Sequence, residues 1–165
     1  MRRSAAGAVA GLLAIVALAS CGGGGSGGGS GGSQCTAGGT VKTVNGTTIR
    51  EFCGPAKVTV TFGGNTFSLT NGECEMLSDM FVVNIGTFGL PPESSPGYFG
   101  LNITAGHKIA DGSYSGVSLA GNVQHKKFAM SPSGSVTLKN GLTAGDFTGT
   151  EFVNEGMITG SFTCS

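Results

Sequence analysis

Residues 22 to 33 are glycine and serine without exception. Such a tract has no side chain to bury and the most backbone entropy to lose, so it is expected to stay a disordered tether. For about 13 residues of this kind the root-mean-square reach is roughly 20 Å, with a stretched limit near 45 Å. The run cuts the 165-residue chain into a short N-terminal segment and one domain-sized remainder. GxGxxG strings inside it follow from composition and carry no phosphate-binding meaning without a strand before and a helix after.

The segment before the tract reads as an address. Met1-Arg2-Arg3 gives a positive start, and residues 8 to 19 are apolar but too few to span a bilayer comfortably. The residues after Arg2-Arg3 do not fit the longer twin-arginine motif. Leu18-Ala19-Ser20-Cys21 resembles the lipobox of bacterial lipoproteins. That resemblance implies cleavage before Cys21 and lipidation (diacylglycerol on its thiol, usually a third acyl chain on its amine). Several chains at roughly 0.8 kcal/mol per buried methylene give a lasting anchor, whereas one is marginal. The expected division is therefore a signal peptide at 1–20, a lipidated cysteine and tether at 21–34, and an exported domain at 35–165. Its location would be the cell membrane or outer envelope, on the extracytoplasmic face.

Beyond Gln34 the pattern becomes short alternating runs between turn residues, which predicts half-buried strands and no helix. Val58, Val60 and Phe62 alternate with Thr59 and Thr61, Gly63-Gly64-Asn65 forms a turn, and Phe67 and Leu69 lie on the return strand. Phe81, Val83 and Ile85 repeat the period, as do Phe99, Leu101 and Ile103 after a proline-rich loop from Pro91 to Gly97. Further strands are expected at Tyr114 to Leu119, Val123 to Met130, Val136 with Leu138, Phe147 to Val153, and Met157 to Cys164. Turns are expected at Asp111-Gly112, Gly121-Asn122, Pro132 to Gly134, Asn140-Gly141 and Asn154 to Gly156. The expected fold is all-β: an antiparallel sandwich or flattened barrel of about eight to ten short strands.

With Cys21 taken by lipid, Cys35, Cys53, Cys74 and Cys164 remain, an even number in an exported domain, which favours two disulfides. In Glu73-Cys74-Glu75-Met76 the acids point one way and Cys74 the other, and Cys164 shares a face with Ile158 and Phe162. Two inward cysteines predict Cys74–Cys164 as a long-range staple, leaving Cys35–Cys53 as a local one. The spacing offers no CxxC pair for a metal. Without Arg2 and Arg3 the exported part has seven basic residues against nine acidic, a net charge of −2. There is no basic stripe, so nucleic acid is not an expected partner.

Candidates for chemistry are few. His107 and His125 are the only groups suited to base work near neutrality, and both read as surface residues. Gly112-Ser113-Tyr114-Ser115-Gly116 has tyrosine where a nucleophile elbow needs serine. Glu73, Glu75 and Asp79 read as a polar sheet face ahead of a weak cation site. Phe81, Phe88, Phe99 and Phe128 could line a ligand cavity, although an ordinary core would use the same residues. No catalytic residue, metal or cofactor is expected.

The chain also resembles the LpqH-type lipoprotein antigens of mycobacteria and related actinobacteria. The likeness rests on the plan of lipobox, low-complexity tether and small β domain. It rests too on Gly64-Asn65-Thr66 to Gly72-Glu73-Cys74, on Phe81-Val82-Val83-Asn84-Ile85-Gly86, and on Phe162-Thr163-Cys164-Ser165, within roughly residues 58 to 165. It implies an acylated surface antigen or adhesin without catalysis, with Cys74 and Cys164 as the family's cysteine pair. Cys35, Cys53 and the pure Gly/Ser tether depart from that pattern. The expectation is a membrane-anchored, monomeric, non-catalytic interaction module with a protein receptor as partner. The alternative is a carrier of envelope lipid or another small hydrophobic ligand.

Overall fold

The computed structural model describes residues 37–90, 96–153 and 156–165. The expected signal peptide, Cys21, the tether, Cys35 and most of the proline-rich loop lie outside the described residues, as do 154–155. Twelve strands and no helix make up the rest. They are β1 Thr40–Val44, β2 Thr47–Glu51, β3 Ala56–Phe62, β4 Asn65–Leu77, β5 Met80–Leu90, β6 Gly97–Thr104, β7 Gly112–Ser115, β8 Ser118–Val123, β9 Lys126–Met130, β10 Ser135–Lys139, β11 Ala144–Glu151 and β12 Gly156–Thr163.

These strands close into an eight-stranded antiparallel barrel with a hairpin attached. From β3 the chain meanders through β4, β5 and β6, each paired with its predecessor. β7 and β8 then act as one long stave interrupted at Gly116-Val117. β9 and β10 act as another, interrupted around Pro132, since β8 pairs with β9 and β7 with β10. β11 and β12 complete the circuit, and β12 pairs with β3. Of the two architectures the sequence left open, the barrel is the one formed. Closure removes the exposed edges that an open sheet would present. The β1–β2 hairpin joins the far end of β5, with Thr48 opposite Leu90 and Glu51 opposite Thr87.

Two turns differ from expectation. Gly121-Asn122, expected to turn, lies inside β8, with Gly121 paired to Phe99 on one side and Phe128 on the other. The chain reverses instead at Gln124-His125, at φ 49° and 64°. His125 therefore sits in a tight turn rather than on a strand face. A glycine here answers a packing need, because a Cβ on Gly121 would collide with the Tyr98 carbonyl and the Phe128 ring. The β1–β2 hairpin, for its part, was not among the expected strands.

Inside the barrel, alternate residues of every stave meet. Ala56, Val60, Val83, Ile85, Phe99, Leu101, Val136 and Ile158 are all 0 % exposed. A cavity able to hold a ligand would leave free surface on its lining, and these side chains have none. Six phenylalanines, Phe62, Phe81, Phe99, Phe128, Phe147 and Phe162, are buried in the interior, and half-buried Phe67 packs against them. Phe67 meets Phe62 at 5.2 Å between ring centres, Phe62 meets Phe128 at 5.0 Å, and Phe99 lies 6.4 Å from Phe128 and 5.5 Å from Phe147. So small a cylinder has room for such rings only where the neighbouring stave gives way. It does so at glycines placed directly across from them: Gly145 opposite Phe162, Gly160 opposite Phe147 and Gly121 opposite Phe128.

Outside, Thr59 and Ser68, Thr61 and Thr66, and Ser113 and Thr137 form cross-strand hydroxyl pairs. Apolar inside and polar outside is the reverse of a membrane-spanning barrel, so this wall is built to face water.

Cys74 and Cys164 are bonded, with Cα atoms 5.6 Å apart. Both lie past the last pairs that β3 makes, Ala56 with Gly72 of β4 and Lys57 with Thr163 of β12. The bridge therefore joins β4 to the end of β12 where the pairing of β3 has stopped. Cys53 is disulfide-bonded as well; Cys35, its expected partner, lies outside the described residues. At the same end of the barrel Asp111 accepts hydrogen bonds from the Gly141 and Leu142 amides at 2.8 and 2.9 Å, holding the β10–β11 turn. Asp111→Ala is expected to cost about 1 kcal/mol in denaturant unfolding, since it removes two solvent-exposed, charge-assisted bonds.

Candidate functional site

Of the residues singled out for chemistry, few come together. The strands alternate in direction, so His107, in the β6–β7 connection, and His125, in the β8–β9 turn, stand at opposite ends of the barrel. Tyr114, at the centre of the elbow-like string, donates its hydroxyl to the Ala110 carbonyl at 2.7 Å and accepts from the Ala110 amide at 3.1 Å. It latches the loop before β7. Glu73 turns its carboxylate to the Gly38 amide, 3.0 Å from each oxygen, and so secures the approach to β1 rather than a cation. Phe81, Phe99 and Phe128 belong to the packed interior.

Phe88 does not. It lies on the outer wall, where the barrel carries its most unusual surface. Most outward positions are threonine, serine or charged, but the sector made by β5, β6, β8 and β9 presents Phe88, Tyr98, Gly100, Ala120 and Ala129 among its polar residues. The Tyr98 ring folds back over Gly100, two residues along the same strand, where a Cβ would strike its hydroxyl. Phe52, following β2, stacks on it at 5.9 Å, and Phe88 meets it edge-on at 5.1 Å.

This aromatic cluster divides a shallow groove into two stretches of about 310 and 320 Å³. One runs past Arg50, Asn84 and Leu90, the other past Ala120, Ala129, Lys127 and Val153. The Tyr98 hydroxyl donates to Asn84 Oδ1 at 2.7 Å. Burial of the ring pushes its pKa above the ordinary 10.0, opposed by the positive charge of Arg50. Buried neutral Tyr98 thus favours the fold below pH 10, and that contribution is lost as pH rises through its elevated value. A phenolate absorbance titration is expected to show a late step that disappears in Tyr98→Phe.

Apolar exposure continues from the groove around one end of the barrel. Val41, Val44, Leu90, Phe152, Val153 and Met157 are between 43 and 75 % exposed, Phe152 the most. Every one lies on the half of the molecule that carries the β8–β9 and β11–β12 turns. Among the described residues only Met76 and Leu77, at the opposite end, are comparably exposed large apolar side chains. Lys126 and Lys127 stand beside this rim, and a second hollow between them, Asn65 and Val153 lies next to the groove. The sequence reading named Phe88 and Phe128 as possible liners of a cavity, but not this outer face. The signal was parity: Tyr98 and Phe88 are large aromatics out of phase with the inward series Phe99-Leu101-Ile103 and Phe81-Val83-Ile85. Comparison with known protein families, with curated proteins and with solved structures returns no match.

Proposed function

We propose that the chain is a lipid-anchored bacterial envelope protein whose barrel is a non-catalytic interaction module. It is held outside the cytoplasm by Cys21 and a Gly/Ser tether. The observation that carries the non-catalytic part is the filled interior. With the barrel occupied by its own phenylalanines, recognition falls to the outer wall, and the groove around Phe52, Phe88 and Tyr98 is the surface best suited to it. Aromatic side chains with a polar tip supply large contact area at small entropy cost, as binding surfaces require. The separated histidines and the committed carboxylates of Glu73 and Asp111 offer no acid–base pair. The lipobox, the tether, the disulfide at the β3 edge and the likeness to LpqH-type lipoproteins all agree with an exported, anchored module.

The carrier reading changes its address rather than disappearing. A hydrophobic ligand would have to lie along the outer groove, half exposed, since the interior leaves it no space. That makes stable carriage the weaker of the two readings.

The anchoring is tested by expressing the full chain in a bacterial host and taking the intact mass of material from the membrane fraction. The expected product begins at Cys21 and carries diacylglycerol, and Cys21→Ser moves the chain out of that fraction. A chain that begins elsewhere without acyl mass overturns the proposal.

A further inference from the structure

We infer that the apolar end of the barrel, with Phe152 as its most prominent residue, is a docking surface for the bilayer that holds the anchor. This rests on the lipid-anchored reading and deepens it: the domain would lie on the membrane in one orientation instead of swinging freely on its leash.

Three observations lead there. The first is distribution. A water-facing barrel scatters its exposed apolar groups, yet here Val41, Val44, Leu90, Phe152, Val153 and Met157 share one end while the neighbouring wall is threonine and serine.

The second is the company these residues keep. Lys126, Lys127 and Arg50 stand at the edges of the apolar strip, and the Tyr98 ring lies in it with its hydroxyl turned to Asn84. Apolar groups rimmed by cations and amphipathic aromatics match a bilayer interface, where acyl chains lie beneath anionic headgroups. Glu93 and Glu155 fall in the β5–β6 and β11–β12 connections, outside the described residues. Among the described residues the far end has Glu73, Glu75, Asp79, Asp111 and Asp146 against Lys57, Lys108 and Lys139, whereas the apolar end has Lys42, Arg50, Lys126 and Lys127 against Glu51 and Glu151, so an anionic surface favours the apolar end.

The third is chain length. Ala37 stands sixteen residues after Cys21, and at no more than about 3.5 Å per residue that length of chain is an upper limit on how far an anchored domain could stand from the lipid. β1 runs from Thr40, level with Thr87 of β5, to the hairpin tip at Asn45-Gly46 at the apolar end, so one five-residue strand separates the start of the domain from that end. A lipid anchor at Cys21 would thus hold the domain near the bilayer, and the apolar exposure and charge decide which end meets it. Attachment of one end by acyl chains makes even weak docking effective, because the second contact is intramolecular.

The chain has no tryptophan, so Phe152→Trp supplies a single reporter at a site 75 % exposed, where folding is not at stake. The chain used begins at Gly22. It keeps every strand and the closed core but lacks both the signal and the acyl acceptor, so the result is independent of whether Cys21 is lipidated. That question is settled separately by the mass of the exported protein.

Mixed with vesicles of equal parts phosphatidylcholine and phosphatidylglycerol, the reporter is expected to shift to the blue and to be quenched by brominated acyl chains. Phosphatidylcholine alone should bind more weakly, and Lys126→Ala should weaken binding to the anionic vesicles about fivefold. In an unlabelled competition assay Phe152→Ser should compete roughly tenfold less well or worse. Emission unchanged from its value in water on both vesicle types overturns the inference. So does a blue shift that grows with protein concentration without vesicles, which would mean that a second copy covers this face.

Discussion

Replacing Cys74 and Cys164 by serine is expected to lower the stability of the barrel by about 4.5 kcal/mol, the loop-closure entropy of a bridge spanning 90 residues. The effect should be large because of where the bridge lies. β3 is the stave on which the last strand closes the barrel, yet its pairing ends before Cys74 and Cys164 are reached on either side of it. Without the covalent link, β12 is held there by the Val58–Phe162 and Lys57–Thr163 pairs at the very end of their ladder. Guanidinium unfolding should show a lower midpoint, together with a steeper slope as the denatured chain expands. An unchanged midpoint would mean that the pairing of β12 with β3 closes the barrel unaided.

Gly160→Ala is expected to be nearly as damaging, for the opposite reason: an atom too many. The new methyl would run into the Thr59 backbone carbonyl and the Phe147 ring. The first belongs to the adjacent stave and cannot move without breaking the closing ladder. The second is buried and packed against Phe99 at 5.5 Å. Overpacking of this kind costs about 1–3 kcal/mol, more where backbone must shift. Gly121→Ala should behave alike, since it meets the Tyr98 carbonyl and Phe128. By contrast Gly46→Ala, in the β1–β2 turn, meets nothing and should lose only the cost of φ 78°. Thermal unfolding of the three variants side by side separates packing glycines from turn glycines; equal losses would contradict the assignment.

Those glycines also explain how much of the fold was legible. Inward positions announced themselves by period two: the runs named from Val58, Phe81, Phe99 and Phe147 each became a stave, and the run from Val136 became half of one. Gly121-Asn122 misled because a glycine beside an asparagine reads as a turn, while its real neighbour was a phenylalanine on another strand. Gln124-His125 escaped because it reverses the chain with no glycine at all. The β1–β2 hairpin was legible in principle, Asn45-Gly46 between runs of Val, Thr and Ile being a strong turn signal, but those runs carry little apolar weight. Parity of Cys74 and Cys164 did suffice for the staple. The outer aromatic face did not emerge, because it depends on which staves stand side by side: Phe52, Phe88 and Tyr98 are brought together by β2 pairing with the end of β5. Nothing local in the chain states that.

A packed barrel with its working surface outside is tested most directly by a native mass spectrum. The chain beginning at Gly22 would be purified from an oxidising bacterial compartment, and its native and denatured masses compared. The denatured mass is expected to be lighter than the reduced chain by the hydrogens of two disulfides, and the native mass to carry nothing added. A lipid-sized adduct that survives into the native spectrum, and that persists when Phe88→Ser and Tyr98→Ser remove the aromatic walls of the outer groove, would mean that the interior opens to a ligand, and would contradict the filled barrel on which the proposed function rests.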